Sequence, residues 1–269
     1  MSPFPRRLRL VAAELADALF PPACPLCPAL DGEDGLGCAR HRLEPDLAGP
    51  RCGRCAGALA PAFPDGGRCA VCRARAPAFD GVLAAYAYGG DAAAREWLLA
   101  FKHGGRAELA ETLGRALAAH ALATGALGAR AAPIGPPIGS GTGPGTGPDA
   151  TPRALLVPVP LHPVRRFERG YDQALLLARV VARETGTPLA RALSRARATE
   201  VQGAPGARSR SANVAGAFRP RRGARAAVEG AEAWLVDDVV TSGATASECA
   251  RVLRSLGALR VRVLAIARA

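Results

Sequence analysis

The stretch Trp234-Leu-Val-Asp-Asp-Val-Val-Thr-Ser-Gly-Ala-Thr-Ala-Ser247 carries the most information about the fold. Its apolar start, over 233–236, is typical of a parallel strand that is covered on both faces. Two acids stand at the C-terminal end of this predicted strand, and a short hydroxyl-rich turn follows them. Small and apolar residues at helical spacing over 246–253 then predict a helix with one buried face. The succession of strand, turn and helix predicts an α/β fold.

The same stretch predicts an anion site at the carboxyl edge of the sheet, where open α/β sheets bind their ligands. Backbone N–H groups and the dipole of the predicted helix would face the anion, and hydroxyls of Thr241, Ser242 and Thr245 can donate further hydrogen bonds. Asp237 and Asp238 would repel a phosphate, so we expect them to bind ribose hydroxyls, directly or through Mg²⁺. The alternative interpretation is a helix cap beside an ordinary acidic turn.

The first third of the chain is rich in cysteine. Four pairs of residues with two-residue gaps are formed by Cys24, Cys27, Cys38, His41, Cys52, Cys55, Cys69 and Cys72. Each pair suits a tight turn that presents two soft ligands, and two pairs complete a tetrahedral zinc site. A disulfide framework is the alternative, but seven cysteines are an odd number and no export signal is evident. We predict two structural zinc sites, of which the first needs His41 as a ligand; the pairing stays open.

The middle of the chain predicts one strand, two helices and an insertion. Residues 79–88 suit a first strand, and apolar residues at helical spacing predict helices over 94–101 and 109–120. Lys102 is the only lysine among the 35 Lys and Arg residues, which suggests a position that needs a compact ammonium in contact with an anion. The alternative is a surface lysine. Residues 131–152 are rich in Gly, Pro, Thr and Ser and predict a flexible insertion.

Charge and hydropathy limit the partners. The net charge is +12, and nine arginines against one glutamate lie within 191–225. This cluster favours an anionic partner, either a phosphorylated small molecule or nucleic acid, although a solvated basic surface is the alternative.

No apolar run approaches the roughly 20 residues of a membrane span. Residues 1–20 predict an amphipathic helix rather than a signal peptide, because Glu14 and Asp17 interrupt the apolar stretch. We expect a cytoplasmic protein without a membrane partner.

Several motifs together resemble a known family. The stretch VDDVVTSGAT over 236–245 resembles the ribose-phosphate signature of type I phosphoribosyltransferases, and the wider pattern resembles the ComF (competence protein F) family. Two further blocks of that family are similar to residues 101–104 and 157–173 of this chain. A third block contains Arg197, Thr199, Gln202, Arg210 and Asn213. The cysteine pairs resemble the family's double zinc ribbon, with His41 in place of one usual cysteine. The resemblance covers almost the whole chain apart from the 131–152 insertion.

The resemblance implies a fold and a division into domains. The fold would be that of type I phosphoribosyltransferases, a mostly parallel, doubly wound sheet with a small zinc-ribbon module at the N-terminus. Residues 1–76 would form the amphipathic helix and the double zinc ribbon. Residues 77–269 would form the phosphoribosyltransferase-like domain with its insertion at 131–152.

The resemblance also implies roles for individual residues. Asp237 and Asp238 would contact the ribose hydroxyls. The 5′-phosphate would lie in the turn formed by Thr241, Ser242, Gly243, Ala244 and Thr245. The pyrophosphate-binding loop would comprise Val159, Pro160 and Leu161, with Arg165 and Arg166 nearby. A mobile loop over 191–213, with Arg197 and Arg210, would close over the ligand.

The implied function is that of a phosphoribosyltransferase-like protein that binds phosphoribosyl pyrophosphate with Mg²⁺, or a nucleotide, in competence-related DNA uptake or nucleotide metabolism. Its enzyme class would be a pentosyl-type glycosyltransferase, in which an acceptor displaces pyrophosphate from C1 of the ribose. Whether the chain is active, and on which acceptor, stays open. The alternative is a non-catalytic scaffold or sensor of the DNA-uptake machinery that binds single-stranded DNA, other DNA-uptake proteins, or helicase and recombination partners.

Overall fold

The computed structural model describes residues 23–29, 37–43, 49–63, 67–88, 92–128, 152–197 and 214–269. The predicted N-terminal helix over 1–20 and almost all of the predicted insertion lie outside the described residues. Four residues of the predicted third block also lie outside them: Thr199, Gln202, Arg210 and Asn213.

The described residues form six strands. They are β1 (Gly81–Ala87), β2 (Ala154–Pro158), β3 (Leu193–Arg195), β4 (Phe218–Pro220), β5 (Glu232–Val240) and β6 (Arg260–Arg268). Four of them make a parallel sheet in the order β1-β6-β5-β2, so the neighbouring central strands β5 and β6 are flanked by β1 and β2. The short strands β3 and β4 form a separate antiparallel pair.

Helices cover both faces of the parallel sheet. They are α1 (Ala70–Ala74), α2 (Ala92–His103), α3 (Leu109–Ala123), α4 (Pro163–Arg169), α5 (Gln173–Thr185), α6 (Ala224–Val228) and α7 (Ala244–Ser255). Alternate residues of β5 belong to two cores: Trp234 and Val236 pack with α2, α3 and α5, whereas Ala233 and Leu235 pack with α7. The predicted α/β class, with a doubly wound parallel sheet, is confirmed.

Small residues allow the close packing of α3 against α5. A Cβ atom at Gly114 of α3 would lie 2.6 Å from the Cβ atom of Val180 in α5, so any larger residue there would push the helices apart. The predicted helices over 94–101 and 109–120 are confirmed, and Trp97, Phe101 and Leu113 are fully buried. Within the described residues, no helix has both the length and the apolar character that a membrane crossing needs.

Two predictions about strand limits are wrong. The strand that was expected to end before the two acids runs to Val240, because β5 keeps its backbone pairing with β6 from Asp237 to that residue. That pairing uses main-chain groups and does not require apolar side chains. The stretch 191–213 that was expected to be a mobile loop begins with the strand β3, which pairs with β4 beyond that stretch, and Leu193 is buried; residues 198–213 lie outside the described residues.

Candidate functional site

A polar cleft lies at the carboxyl ends of the neighbouring strands β2 and β5. It has a volume of about 340 Å³. Its lining combines four basic side chains with three acids, the β2 loop and two threonines: Lys102, Arg165, Arg169, Arg195, Asp172, Asp237, Asp238, Val159, Pro160, Leu161, Thr241 and Thr245, together with Gln173, Ala174 and Val239. The structure therefore brings together most of the residues that the sequence predicted for one ligand site.

The acid pair, Asp237 and Asp238, lies near the C-terminal end of strand β5. Asp238 is buried, its Oδ2 atom lies 3.2 Å from Nζ of Lys102, and its Oδ1 atom accepts a hydrogen bond from the Val239 N–H at 2.6 Å. Asp237 accepts a hydrogen bond from the Asp238 N–H at 2.9 Å. Burial and the neighbouring Asp238 raise the pKa of Asp237 to about 8, against the lowering effect of Lys102. Two carboxylates this close repel each other when both are ionised, so a cation or hydrogen-bond donors must stabilise the ionised pair.

The turn after β5 forms a small cup of about 50 Å³ that extends the site from the acid pair. Gly243 has a φ of +72° and stands immediately before α7, so the N-terminus of that helix faces the cup. A Cβ atom at Gly243 would lie 3.1 Å from the ring of Phe79, which is fully buried. The Ser242 hydroxyl accepts a long hydrogen bond of 3.4 Å from the Ala244 N–H. The cup offers hydroxyls and helix N–H groups to an anion, as the sequence predicted.

Lys102 reaches the acid pair from the other side of the cleft. It lies at the C-terminal end of α2, whose buried residues pack on the sheet. The contact with Asp238 is close, and the Lys102 side chain is only 23% exposed. In the structure the Lys102 ammonium faces a carboxylate of the protein, and its contact with a ligand anion stays a prediction.

The loop after β2 forms another wall of the cleft, next to the acid pair. The Val159 N–H donates to the Val236 carbonyl at 3.0 Å, which fixes the loop to β5. The ring of His162 caps α4 by accepting a hydrogen bond from the Val164 N–H at 3.3 Å. Arg165, on α4, lines the cleft, whereas the adjacent Arg166 lines a different pocket. Consecutive arginines that were expected to act together are therefore separated by the helix.

Of the two predicted closing-loop arginines, the one that the structure describes, Arg197, does not line the cleft. Arg197 is exposed and donates from Nη2 to the Ala215 carbonyl at 2.8 Å, and Arg210 lies outside the described residues. From the described part of this segment, Arg195 on β3 does line the cleft, and sequence reasoning did not single it out. Its guanidinium lies 5.4 Å from the ring centroid of Phe218, and burial lowers its pKa. Leu193 and Arg195 lie two residues apart and so share one face of β3, and this spacing was the available signal.

Helix α5 contributes a further part of the wall that the sequence did not predict. Asp172 caps this helix by accepting a hydrogen bond from the Leu175 N–H at 3.1 Å, and Gln173 is buried beside it. Arg169, at the end of α4, also faces the cleft. All three lie in the predicted family block over 157–173, so the block was correctly located although these residues were not singled out.

Two groups of four side chains in the N-terminal module could each hold a metal ion. The first cluster is Cys24, Cys27, Cys38 and His41, and the second cluster is Cys52, Cys55, Cys69 and Cys72. The ligand atoms within each group lie within 4.8 Å of one another, and all eight cysteines of the chain are free thiols. The disulfide alternative is therefore not realised. The first two pairs along the chain form the first cluster, and the last two pairs form the second cluster.

The clusters fit the donor geometry of tetrahedral zinc. A Zn–S bond of about 2.3 Å implies sulfur atoms about 3.8 Å apart at the corners of a tetrahedron. The Sγ atoms of Cys27 and Cys38 are 3.7 Å apart, and those of Cys55 and Cys69 are 3.8 Å apart. His41 is buried, and its Nδ1 atom lies 3.4 Å from Sγ of Cys38. His41 is thus placed as a ligand of the first cluster and not on the surface.

One thiol in each cluster is prepared as a thiolate by the backbone. Burial acts to raise the pKa of Cys24, but backbone N–H groups of Cys38, Leu26 and Cys27 lower it to about 6. In the same way, burial opposes the N–H groups of Cys69, Cys55 and Arg54, which lower the pKa of Cys52 to about 6. Because metals bind the thiolate, this arrangement favours metal binding at neutral pH.

Both clusters are attached to the elements that form the cleft. Nε2 of His41 lies 2.9 Å from a carboxylate oxygen of Glu96, and the Trp97 indole N–H donates to the His41 carbonyl at 2.8 Å. Glu96 and Trp97 belong to α2, the helix that carries Lys102. At the second cluster, Arg268 of β6 donates to the Cys55 carbonyl at 2.7 Å and to the Val240 carbonyl at 3.1 Å.

These features define the class of the molecule: an α/β protein with a polar cleft at the carboxyl edge of a parallel sheet and an N-terminal module with two four-ligand clusters. No protein-family model matches the chain. Competence protein F of Haemophilus influenzae is 36% identical over 120 residues, which are 42% of this chain and 50% of that protein. DNA utilization protein YhgH is 37% identical over 114 residues in both Escherichia coli and Salmonella typhi, with 42% of this chain and 48% of each relative covered.

The chain thus spans about half the length of the curated relatives that it matches. The resemblance to the ComF family is confirmed over that part of the chain. A solved structure of the allosteric regulatory enzyme of purine biosynthesis is 22% identical, with 44% of this chain and 22% of that chain covered and a TM-score of 0.28. Such a TM-score is too low to support a conclusion about fold or function.

Proposed function

We propose that the cleft binds phosphoribosyl pyrophosphate together with Mg²⁺, and that the protein is a phosphoribosyltransferase-like component of competence-related DNA uptake or nucleotide metabolism in the cytoplasm. The observation that carries the proposal is the order of groups along one edge of the sheet. An acid pair at the end of β5 is followed directly by a hydroxyl-rich cup and a helix N-terminus, and the β2 loop lies beside them.

Each part of the ligand has a chemically suitable partner. The 5′-phosphate would lie in the cup at 241–245, where hydroxyls and helix N–H groups can donate to its oxygens. The ribose hydroxyls would donate to Asp237 and Asp238. The pyrophosphate would lie against the β2 loop, where Arg165 and Arg195 can form charge-assisted hydrogen bonds with it.

The acid pair also fits Mg²⁺. This ion prefers carboxylate and phosphate oxygens and keeps several of its waters, so Asp237 and Asp238 would hold it together with the ligand's own oxygens. When bound, it would neutralise charge on the pyrophosphate. The raised pKa of Asp237 indicates that the protein alone does not fully compensate the two acids.

Transfer of the phosphoribosyl group is the reaction that this arrangement suits. An acceptor nucleophile would form a bond to C1 of the ribose as the bond from C1 to the pyrophosphate oxygen breaks, and the electron pair would leave with pyrophosphate. The residues of the chain would act by positioning the ligand, and Arg165, Arg169 and Arg195 by stabilising the leaving group. No side-chain nucleophile is required.

A second candidate function is a non-catalytic scaffold that binds single-stranded DNA or other DNA-uptake proteins. The observation in its favour is the name of two relatives, DNA utilization protein, together with the nine arginines within 191–225. This function would rely on phosphate contacts spread over a basic surface and would weaken steeply with salt.

Calorimetric titration of phosphoribosyl pyrophosphate, with and without Mg²⁺, tests the proposal. We expect magnesium-dependent binding by the wild type that is lost in Asp237→Asn/Asp238→Asn. The matched control is Glu184→Gln/Glu229→Gln, which removes two carboxylates from the surface far from the cleft and should bind normally. Absence of binding to the wild type would reject the proposal. Salt-sensitive binding of an oligonucleotide that survives Asp237→Asn/Asp238→Asn would favour the scaffold.

A further inference from the structure

A second pocket adjoins the cleft and carries a strong positive charge. It has a volume of about 230 Å³ and is lined by Arg166, Arg191, Arg195 and Arg221. These arginines come from different parts of the chain: helix α4, the segment before β3, β3 itself and the residue after β4. A hydrogen bond of 2.8 Å from the Arg221 N–H to the Ala192 carbonyl holds two of these segments together.

The positive charge of this pocket is poorly compensated by the protein. Among the described residues that line it, Asp172 is the one acid, and it is already engaged as the N-cap of α5. In the part of the chain that the structure describes, Arg166, Arg191 and Arg221 take part in none of the ion pairs, although many other arginines do. The guanidinium groups of Arg166, Arg191 and Arg221 repel one another where they line one pocket beside a single engaged acid, so an anion between them would be stabilising.

The shape of the pocket restricts the ligand to a compact anion. Three prolines, Pro158, Pro160 and Pro163, form rigid parts of its wall, and Leu175 and Leu193 add an apolar surface. The volume is below the roughly 300 Å³ at which pockets for drug-sized ligands begin. A planar guanidinium group can donate two parallel hydrogen bonds to two oxygens of one phosphate. A phosphate or diphosphate group therefore fits both the size and the charge of this pocket.

We propose that this pocket is a second anion site, separate from the cleft, which binds a phosphate- or diphosphate-bearing small molecule through Arg166, Arg191 and Arg221. The pocket and the cleft share Pro160, Leu161, Asp172 and Arg195 as lining residues. Occupation of one would therefore affect the wall of the other. The proposal goes beyond the function proposed for the cleft and does not depend on which ligand the cleft takes.

The test is calorimetric titration of the full chain with inorganic pyrophosphate in the absence of divalent cations. Arg191→Ala/Arg221→Ala removes two exposed arginines that line the second pocket only, and we expect its affinity for pyrophosphate at that site to fall at least tenfold. Arg179→Ala/Arg222→Ala is the matched control, because it removes two exposed arginines that line neither pocket. The control should stay within twofold of the wild type. Thermal melts establish that each variant is folded.

A cleft variant separates this proposal from the one before it. Arg165→Ala/Arg169→Ala removes two arginines that line the cleft and not the second pocket. Pyrophosphate should still bind to the second pocket of this variant. Equal losses in the pocket variant and the control would mean a general charge effect and would overturn the proposal. Loss only in the cleft variant, or no binding to the wild type, would also overturn it. So would binding of a single-stranded oligonucleotide, sensitive to Arg191→Ala/Arg221→Ala, when pyrophosphate itself does not bind.

Discussion

The first and second clusters have the same local construction but different connections to the rest of the molecule. In both, a cysteine at the start of the first pair has its pKa lowered to about 6 by backbone N–H groups. The first cluster is connected to α2, since the His41 ring contacts Glu96 and the His41 carbonyl accepts a hydrogen bond from Trp97. The second cluster is connected to β6 and the end of β5, since Arg268 contacts the carbonyl and Sγ of Cys55 and donates to the Val240 carbonyl.

This difference assigns each cluster to one side of the cleft. Helix α2 ends at the Lys102 side of the acid pair, and Arg106, just beyond it, donates to the Pro25 carbonyl in the first cluster at 2.7 Å. Val240 is the last residue of β5 before the cup, so the second cluster is connected to the phosphate side. The comparison teaches that two four-ligand clusters of similar local construction can support different parts of one cleft.

Removal of either cluster should have the largest effect. Cys52→Ser/Cys72→Ser and Cys24→Ser/Cys38→Ser should each lower the bound zinc from two ions per chain to one, since each variant destroys one four-ligand group. Stability should fall by several kcal/mol in order of magnitude, because metal binding supplies folding free energy to such modules. Elemental analysis and chemical denaturation measure both effects.

The control for this experiment is Cys249→Ala, which removes the cysteine that lies outside both clusters. Cys249 is fully buried on α7, so the variant should lose some stability through packing but keep both metal ions. If the zinc content of a cluster variant stays at two, or falls to zero, the division into two independent four-ligand sites is wrong.

Arg268→Ala should be the next largest change. It removes charge-assisted hydrogen bonds to two carbonyls, each of which is worth roughly 1.5–3 kcal/mol when the donor is charged. We expect a loss of about that size in the free energy of unfolding and weaker binding of phosphate ligands in the cup, with both metal ions retained. Urea denaturation and calorimetry are the measurements.

Two variants sharpen the Arg268 result. Arg268→Lys retains one charged donor and should recover part of the stability. Arg260→Ala removes an exposed arginine from the start of the same strand and should have a small effect. Equal effects of Arg260→Ala and Arg268→Ala would show that the connection to Cys55 and Val240 has no special role.

Glu96→Ala should act on the first cluster only. The Glu96 carboxylate fixes the orientation of the His41 ring, and loss of such a contact typically lowers metal affinity 10- to 100-fold. A chelator competition assay should show one weakened site and one unchanged site. Glu96→Gln keeps an acceptor and should be intermediate, whereas Glu229→Gln, at an exposed acid that pairs with Arg225, should change neither site.

The sequence predicted the site well where local pattern and chemistry coincide. The acid pair lies near the end of one strand, and the cup and the β2 loop each follow a strand. Parallel strands bring their carboxyl ends to one edge, so these groups could be placed together from the chain order. Lys102 was identified only because no other lysine exists in the chain. The cysteine spacing predicted the clusters, and the structure resolved their pairing.

The remaining parts of the site depend on tertiary contacts that the local pattern does not contain. Arg195 reaches the cleft because β3 pairs with β4, which lies more than 20 residues away in the chain. Arg165 and Arg166 separate because α4 turns consecutive side chains in different directions, and this could not be predicted without the helix limits. The connections of the clusters through Glu96 and Arg268 join residues more than 50 positions apart.

Lys102→Met should have the smallest effect on stability and the clearest dependence on pH. The Lys102–Asp238 pair is partly exposed, so its loss should cost about 1 kcal/mol or less near neutral pH. The pKa of Asp237 is about 8 in the folded protein and roughly 4 in the unfolded chain. Between these values the native state binds the extra proton, so the free energy of unfolding decreases as the pH rises. Lys102 lowers this pKa, and without it the decrease should continue to a higher pH.

Urea denaturation at pH 5 to 9, without divalent cations, measures this shift. Lys102→Arg keeps the positive charge and should follow the wild type. Asp237→Asn removes the titrating group, so it should flatten the dependence of the free energy of unfolding on pH, with Lys102 present or replaced by Met. A Lys102→Met curve that runs parallel to that of the wild type would show that Lys102 does not influence Asp237. In that case the first cluster, through α2, would position a lysine that serves Asp238 alone, and the link between metal module and acid pair would be weaker than the link through Arg268.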